Sequence, residues 1–188
     1  MLTGNTASQL IANSSTAIIT GDGGTTGKLT VSNGGVVAPG NSPGSLEVGQ
    51  VELGVGGVYD WEIAGMSNYD TILSAGTVNS SATTLNPFII RVQTLDSSFN
   101  DGILAGFDMS ASYSWVLASG SWISGFNAAK FNLDLGSFYN PADELQFAIS
   151  QQGNSIVLNY NATLIPEPSS VVLILTAGVC LVRCKRGC

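Results

Sequence analysis

The chain has 188 residues with 23 Gly, 44% apolar and only 10% charged positions, and a formal charge of −7. A usual soluble chain carries about 25% charged residues and ~7% Gly, so a helical bundle, a coiled coil and a charged disordered tail are excluded. The length is that of about one domain, long enough to bury a core.

Charge is unevenly placed. Up to Ile165, Lys28, Arg91 and Lys130 stand against twelve acids, whereas beyond it Arg183, Lys185 and Arg186 stand against Glu167 alone. An acidic body with three scattered bases has no cationic stripe to neutralise phosphates, so nucleic acid is not expected as a partner. The chain has no His, which removes Ser-His-Asp and Cys-His nucleophilic machinery and the commonest metal ligand together. Its cysteines, Cys180, Cys184 and Cys188, all fall in the last nine residues. The body therefore has no disulfide and no thiolate zinc site, no metal or other cofactor is expected, and cysteine usage leaves the compartment open.

In chain order, Met1 to Thr16 has neither the basic n-region nor the apolar h-region of a secretory signal. The expectation is a chain that is incomplete at its N-terminus. Residues 1–56 are Gly-rich, with short apolar pieces at Ala17–Thr20, Leu29–Val31, Val36–Ala38 and Leu46–Val48. Between them lie turns such as Gly21-Asp22-Gly23-Gly24, Asn33-Gly34-Gly35 and Pro39-Gly40-Asn41, where positive φ is cheap only for Gly and Asn. Small rungs with tight corners predict a β-solenoid, whose rungs bury their apolar faces by stacking on neighbours.

Residues 57–161 alternate with a period of two: Tyr59, Trp61 and Ile63; Phe88, Ile90 and Val92; Phe131, Leu133 and Leu135; Leu145, Phe147 and Ile149; Ile156, Leu158 and Tyr160. This is the pattern of half-buried strands, read here as an antiparallel, sandwich-like region. The expected fold is thus all-β, a β-solenoid running into an antiparallel β-sandwich-like part.

The stretch from Gly34 to Val48, with its Pro39-Gly40-Asn41-Ser42-Pro43-Gly44 turn before a strand, is similar to the autotransporter-associated β-strand repeat. Val58-Tyr59-Asp60-Trp61-Glu62-Ile63 and Asn68-Tyr69-Asp70-Thr71-Ile72-Leu73 look like its continuation. The resemblance implies right-handed parallel β-helix rungs carrying an adhesive surface.

Four groups of residues invite a chemical reading. Gly21 to Lys28 resembles a phosphate loop, but Asp22 falls where its first Gly belongs and Leu29 where Ser or Thr must follow the Lys, so a solvated turn is expected. Asp60 and Glu62 share one strand face about 6.6–6.8 Å apart, a spacing an inverting glycosidase pair could use. Nothing nearby supplies the apolar pocket that would raise one of the two pKa values, and a structural role is expected. Asp22, Asn100-Asp101 and Asp108 lack the spaced oxygen ligands of a calcium loop. Trp61, Tyr113, Trp115 and Trp122 could form a sugar-stacking platform, yet Trp61 and Trp115 alternate in phase with apolar neighbours and read as core. Trp122 is the aromatic whose burial the pattern leaves open. Regular Thr-x-Thr ranks, which an ice-binding face would need, are absent.

The tail divides into a linker at 162–168 containing Pro166-Glu167-Pro168, an apolar segment at 169–183 and a basic end at 184–188. The two prolines stop the preceding strand. The apolar residues Val171, Val172, Leu173, Ile174, Leu175, Val179, Leu181 and Val182 follow, then the basic stop Arg183, Lys185 and Arg186. An apolar run with no polar face has no way to sit on a small β domain, which predicts a short transmembrane helix. The 14 residues from Ser169 to Val182 make roughly 21 Å of helix at ~1.5 Å per residue, against about 20 residues for a ~30 Å bilayer core. Such a span needs snorkelling or local thinning, and the basic residues after it predict a cytoplasmic C-terminus and an exported body. Cys180 and Cys184 at the membrane boundary read as free thiols rather than lipidation sites.

These residues resemble the PEP-CTERM sorting signal, in which Pro-Glu-Pro, a hydrophobic helix and a basic tail occur in that order. The resemblance implies an exosortase-type processing enzyme, the membrane and exopolysaccharide as partners. The expected function is that of a non-enzymatic cell-surface or extracellular-matrix protein serving adhesion or a biofilm matrix, first anchored by the C-terminal helix and then displayed after processing. The competing class is a carbohydrate-binding or ice-binding surface module.

Overall fold

The structure is a computed structural model that describes residues 9–24 and 27–162. The body is all-β. Its strands fall on three sheets in rotation, first β1 (Leu10–Ala12), β2 (Ile18–Gly21) and β3 (Gly23–Gly24), then β4 (Lys28–Val31), β5 (Val36–Pro39) and β6 (Ser45–Val48). The third round is β7 (Gln50–Leu53), β8 (Val58–Gly65) with a small flanking β9 (Asn68–Tyr69), and β10 (Thr71–Ser74). The fourth is β11 (Thr77–Ser80), β12 (Phe88–Thr94) and β13 (Tyr113–Ser119). Then come β14 (Trp122–Ser124) and β15 (Phe131–Ser137), and the chain ends its third sheet with the hairpin β16 (Phe147–Gln152) and β17 (Ser155–Tyr160).

Sheet I is therefore β1-β4-β7-β11-β14, sheet II is β2-β5-β8-β12-β15, and sheet III is β3-β6-β10-β13-β17-β16. Every neighbour in sheets I and II along these orders pairs parallel, as do β3, β6, β10 and β13 in sheet III. Parallel neighbours need a long connection between them, and here it is the passage through the other two sheets. The antiparallel pairing expected from residue 57 onward is found, among the described residues, between β8 and β9, within β13–β17–β16 and at one isolated bridge, Leu95 with Asp101. The same parallel ladders cross residue 57 without a break, since β5 pairs β8, β6 pairs β10 and β7 pairs β11.

The register stacks like on like. In sheet I, Leu10, Leu29, Val51, Val78 and Ile123 form one inward rank and Ala12, Val31, Leu53 and Ser80 another. Opposite them lie Val37, Tyr59 and Ile90 of sheet II and Leu46 and Ile72 of sheet III, all buried in one core with Trp61, Phe88, Trp115 and Tyr160. Ser80 breaks the apolar rank: it is 2% exposed and its hydroxyl has no hydrogen-bond partner.

Glycine at the corners lets the rounds stack closely. A Cβ on Gly76 would stand 2.7 Å from the Gly49 carbonyl oxygen, which accepts the Gly76 N–H at 2.8 Å, and one on Gly57 would stand 2.7 Å from the Phe88 ring. A longer loop between β12 and β13 folds back on the body. Asn140 clamps it by accepting from Leu104 N at 2.8 Å and donating to Leu104 O at 3.1 Å, and Phe107 packs edge-on to Phe138 and Tyr160.

One strand residue is misplaced by the period-2 reading. Leu145 lies in a 3-10 turn, Glu144–Gln146, and is 78% exposed. Gln146 is buried in its place because the turn is closed by a capping box, in which Asp143 accepts from Leu145 N and Gln146 Oε1 accepts from Asp143 N.

Candidate functional site

The outward side of sheet I carries two adjacent ranks of side chains. Ile11, Thr30, Glu52, Asn79 and Ser124 are in register across all five strands. Beside them, Lys28 pairs with Gln50 and Thr77 with Trp122, Gln50 and Thr77 standing one position before the Val51–Val78 pair. Strand alternation fixes this: residues at odd steps from the buried Leu29, Val51, Val78 and Ile123 must point away from the core. Trp122 is 65% exposed, whereas Trp61 and Trp115 are fully buried. The open question about the aromatics is thereby answered: two tryptophans are core and the third lies on the surface. Tyr113 is half-buried, stacked on Trp115 with ring centroids 5.4 Å apart.

Glu52 organises this face. It accepts from Lys28 Nζ at 3.1 Å and from Asn79 Nδ2 at 2.9 Å. Partial burial works against its charge, but hydrogen bonds from Ser81, Asn79 and Lys28 outweigh it and hold the carboxyl below its ordinary pKa. Glu52 and Lys28 are the charged residues of the two ranks, so the face is ionised yet compensated. A flat array of amide, hydroxyl and carboxylate groups beside an exposed indole can hydrogen-bond and stack.

The two carboxylates of β8 do share its outward side, but they have different surroundings. Asp60 receives Arg91 Nη1 at 2.7 Å, and Arg91 Nε lies 3.8 Å from Asp134 Oδ2, so the three groups form a rank across β8, β12 and β15. Burial raises the Asp60 pKa, Arg91 opposes that, and Asp134 adds to it. Glu62 stands opposite Gln93, whose amide donates to Asp101 at 2.6 Å. Asp60 is thus tied into an ion-pair rank, while Glu62 is not.

The sequence drew attention to Asp70 only as part of the β-strand repeat, yet its carboxyl is strongly perturbed. It is fully buried at the corner between sheets II and III, accepting from Gly44 N at 2.7 Å and Glu62 N at 3.0 Å, while its carbonyl accepts from Trp61 Nε1 at 2.7 Å. Burial drives its pKa up to about 7 against the two amide donors, helped by the charges of Glu62 and Asp22. An Asp set between a tight Gly-containing turn and an apolar strand is the signal that could have found it.

The other expected sites resolve into local structure. Lys28 stands on β4, turned to Glu52, and Gly23–Gly24 form a short strand paired with β6. Asp108 caps its own turn through Ser110, and Asp96 rather than Asp101 closes the loop before Asn100. Among the described residues no group of three or more acidic or Cys side chains is placed to hold a metal. Pro166, Glu167, Pro168, the apolar run 171–182 and Arg183, Lys185 and Arg186 lie outside the described residues. Among the described residues no helix is long and apolar enough to cross a membrane. One further concavity, of about 400 Å³, opens between β15 and β16 and is lined mainly by Phe131, Leu133, Leu135, Leu145, Phe147 and Ile149.

No protein-family model matches this chain, and no curated protein matches it.

Proposed function

We propose that the chain is a non-enzymatic cell-surface or extracellular-matrix protein whose body is a three-sided parallel β-solenoid delivered by its C-terminal signal. The rotation of strands through three sheets supports the solenoid, because each round buries its apolar side only against the next. It takes in the region from residue 57 onward as well as the described residues before it. The delivery rests on one observation, the order Pro166-Glu167-Pro168, apolar run, basic end. In this reading the prolines hold an extended strand at the membrane surface for an exosortase-type enzyme, and Arg183, Lys185 and Arg186 fix the orientation of the apolar segment.

Intact-mass and terminal-sequence analysis of the protein from membrane and extracellular fractions tests it. A species outside the cell ending between Pro166 and Ser169 supports sorting with tail removal. A full-length species confined to the membrane removes the processing step.

A second reading, a carbohydrate-binding module, is favoured by a separate observation: the exposed Trp122 stands on a flat polar sheet face rather than in the core.

A further inference from the structure

We infer that the outward face of sheet I binds a single extended, uncharged polysaccharide chain laid across the strands, with Trp122 stacking on one sugar ring and Gln50, Thr77, Glu52 and Asn79 bonding its hydroxyls. The inference deepens the carbohydrate-binding reading and rests on it.

Four observations point the same way. The first is chemical: a pyranose ring has an apolar C–H side and a rim of hydroxyls, so it is recognised by an aromatic face beside planar donor-acceptor groups. Trp122 is exposed next to Thr77, and Asn79 stands on the adjacent rank beside Ser124. An indole keeps its large apolar surface in water at a cost, and an amphipathic ligand is the partner that removes that cost without entering the core.

The second is spacing. Neighbouring strands lie about 4.7–4.9 Å apart, close to the advance of one ring along an extended β-linked glycan. Successive side chains on a rank are therefore offered at about the repeat of the ligand, and five strands give a track of roughly 19 Å.

The third is relief. The corner leading into sheet I is built from Gly27, Gly49 and Gly76, linked by backbone bonds from Gly49 N to Gly27 O and from Gly76 N to Gly49 O, both 2.8 Å. The series ends in the exposed Ser121, whose N–H donates to Gly76 O at 2.9 Å. Among the described residues, therefore, nothing larger than a serine stands in that corner beside the Lys28–Gln50–Thr77–Trp122 rank, and a chain can run over it.

The fourth is charge. Lys28, the cation of the two ranks, is held by Glu52 at 3.1 Å. Lys130 Nζ at the end of the face is held by the Gly125 and Ser80 carbonyls at 2.9 and 3.3 Å, and the body around them is acidic. A polyanion meets repulsion there, whereas a neutral glycan meets a compensated surface whose Glu52 oxygens also accept hydroxyl protons.

The test uses the full chain in detergent micelles, titrated with cellohexaose, N-acetylchitohexaose and, as a polyanion, alginate. Binding is followed by Trp fluorescence and by calorimetry. Saturable binding of at least one neutral hexasaccharide, weakened about tenfold or more by Trp122→Ala and largely restored by Trp122→Phe, is the expected result. Ile103→Ala, an exposed residue elsewhere, leaves it unchanged, and equal thermal midpoints exclude unfolding as the cause. Binding that survives Trp122→Ala overturns this face as the site while leaving the carbohydrate reading intact. Binding of alginate alone overturns the uncharged ligand. Failure of all three glycans to bind the wild-type chain overturns the inference and the carbohydrate reading together, without touching the sorting reading, which the terminal-mass experiment decides.

Discussion

Asp70→Asn, followed across pH, tests the corner between sheets II and III. Asp70 has an ordinary pKa of 3.8 when unfolded and about 7 in the fold, raised first by burial and then by Glu62 and Asp22 against the Gly44 and Glu62 amides. An acid whose pKa is higher in the folded state contributes stability that is complete below the unfolded value and is lost as pH rises through the folded one. Between pH 5 and pH 7 the loss is about 1.4 kcal/mol per pH unit, or roughly 3 kcal/mol in all, and it levels off above pH 7. The window avoids the sequence pI of 4.2. In the Asn variant one amide oxygen still accepts from Gly44 N, but its N–H group faces Glu62 N, two donors together, at a cost of about 1–3 kcal/mol. That cost does not change with pH. Urea unfolding of both proteins at pH 5, 6, 7 and 8 gives the difference directly, because the remaining acids titrate alike in both. The wild-type advantage should shrink by about 3 kcal/mol from pH 5 to pH 8. An advantage that stays constant within 1 kcal/mol, or grows with pH, would refute the placing of Asp70 as a buried, weakly ionised carboxyl.

Ser80→Ala should stabilise the body by about 1 kcal/mol in urea titration, since it removes a buried hydroxyl without a partner from an otherwise apolar rank; a lower urea midpoint would contradict the rank. Gly76→Ala should cost about 1–3 kcal/mol and lower the thermal midpoint, because its Cβ meets backbone oxygen of the neighbouring round at 2.7 Å and backbone cannot yield as a flexible side chain does. Arg91→Ala should cost less than about 1 kcal/mol, because its side chain is 42% exposed and solvent screens the pair with Asp60. The same change in 1 M salt should cost still less, and a salt-independent loss would point to packing of the Arg stem instead.

The strands were legible because burial of one face imposes a period of two. Tyr59, Trp61, Ile63, Phe88, Ile90 and Val92 are all buried as their alternation requires. Phe131, Leu133 and Leu135 keep the alternation but stay half-buried, since β15 is the last strand of sheet II. Strand direction was not legible from residue 57 on, because a sheet with one buried face gives the same alternation whether its neighbours run parallel or antiparallel. Leu145 was misplaced by the same rule: hydrophobic phase favoured a strand, while the Asp143–Gln146 capping box, a local polar arrangement, won. Trp122 was undecidable from its neighbours, as β14 is only three residues long and its inward residue is Ile123.

Stacking in register separates two kinds of position that sequence alone mixes. Corner residues such as Gly57, Gly76 and Asp70 are held by the round above or below, so a change there propagates along the ladder and appears as lost stability. Outward residues such as Gln50, Thr77 and Trp122 are held only by their own strands, and surface substitutions of that kind usually shift stability by no more than about 0.5 kcal/mol. Asp70 lies between sheets II and III, whereas the proposed glycan track lies on sheet I. Ionising Asp70 should therefore weaken the fold and leave the affinity of the remaining folded protein unchanged between pH 5 and pH 8. Glu52, held below its ordinary pKa by Ser81, Asn79 and Lys28, stays charged throughout that range. An affinity that follows the Asp70 titration would mean that the three sides of the body do not act independently, and the face would then have to be treated as coupled to the corner through the core rank of Tyr59 and Ile90.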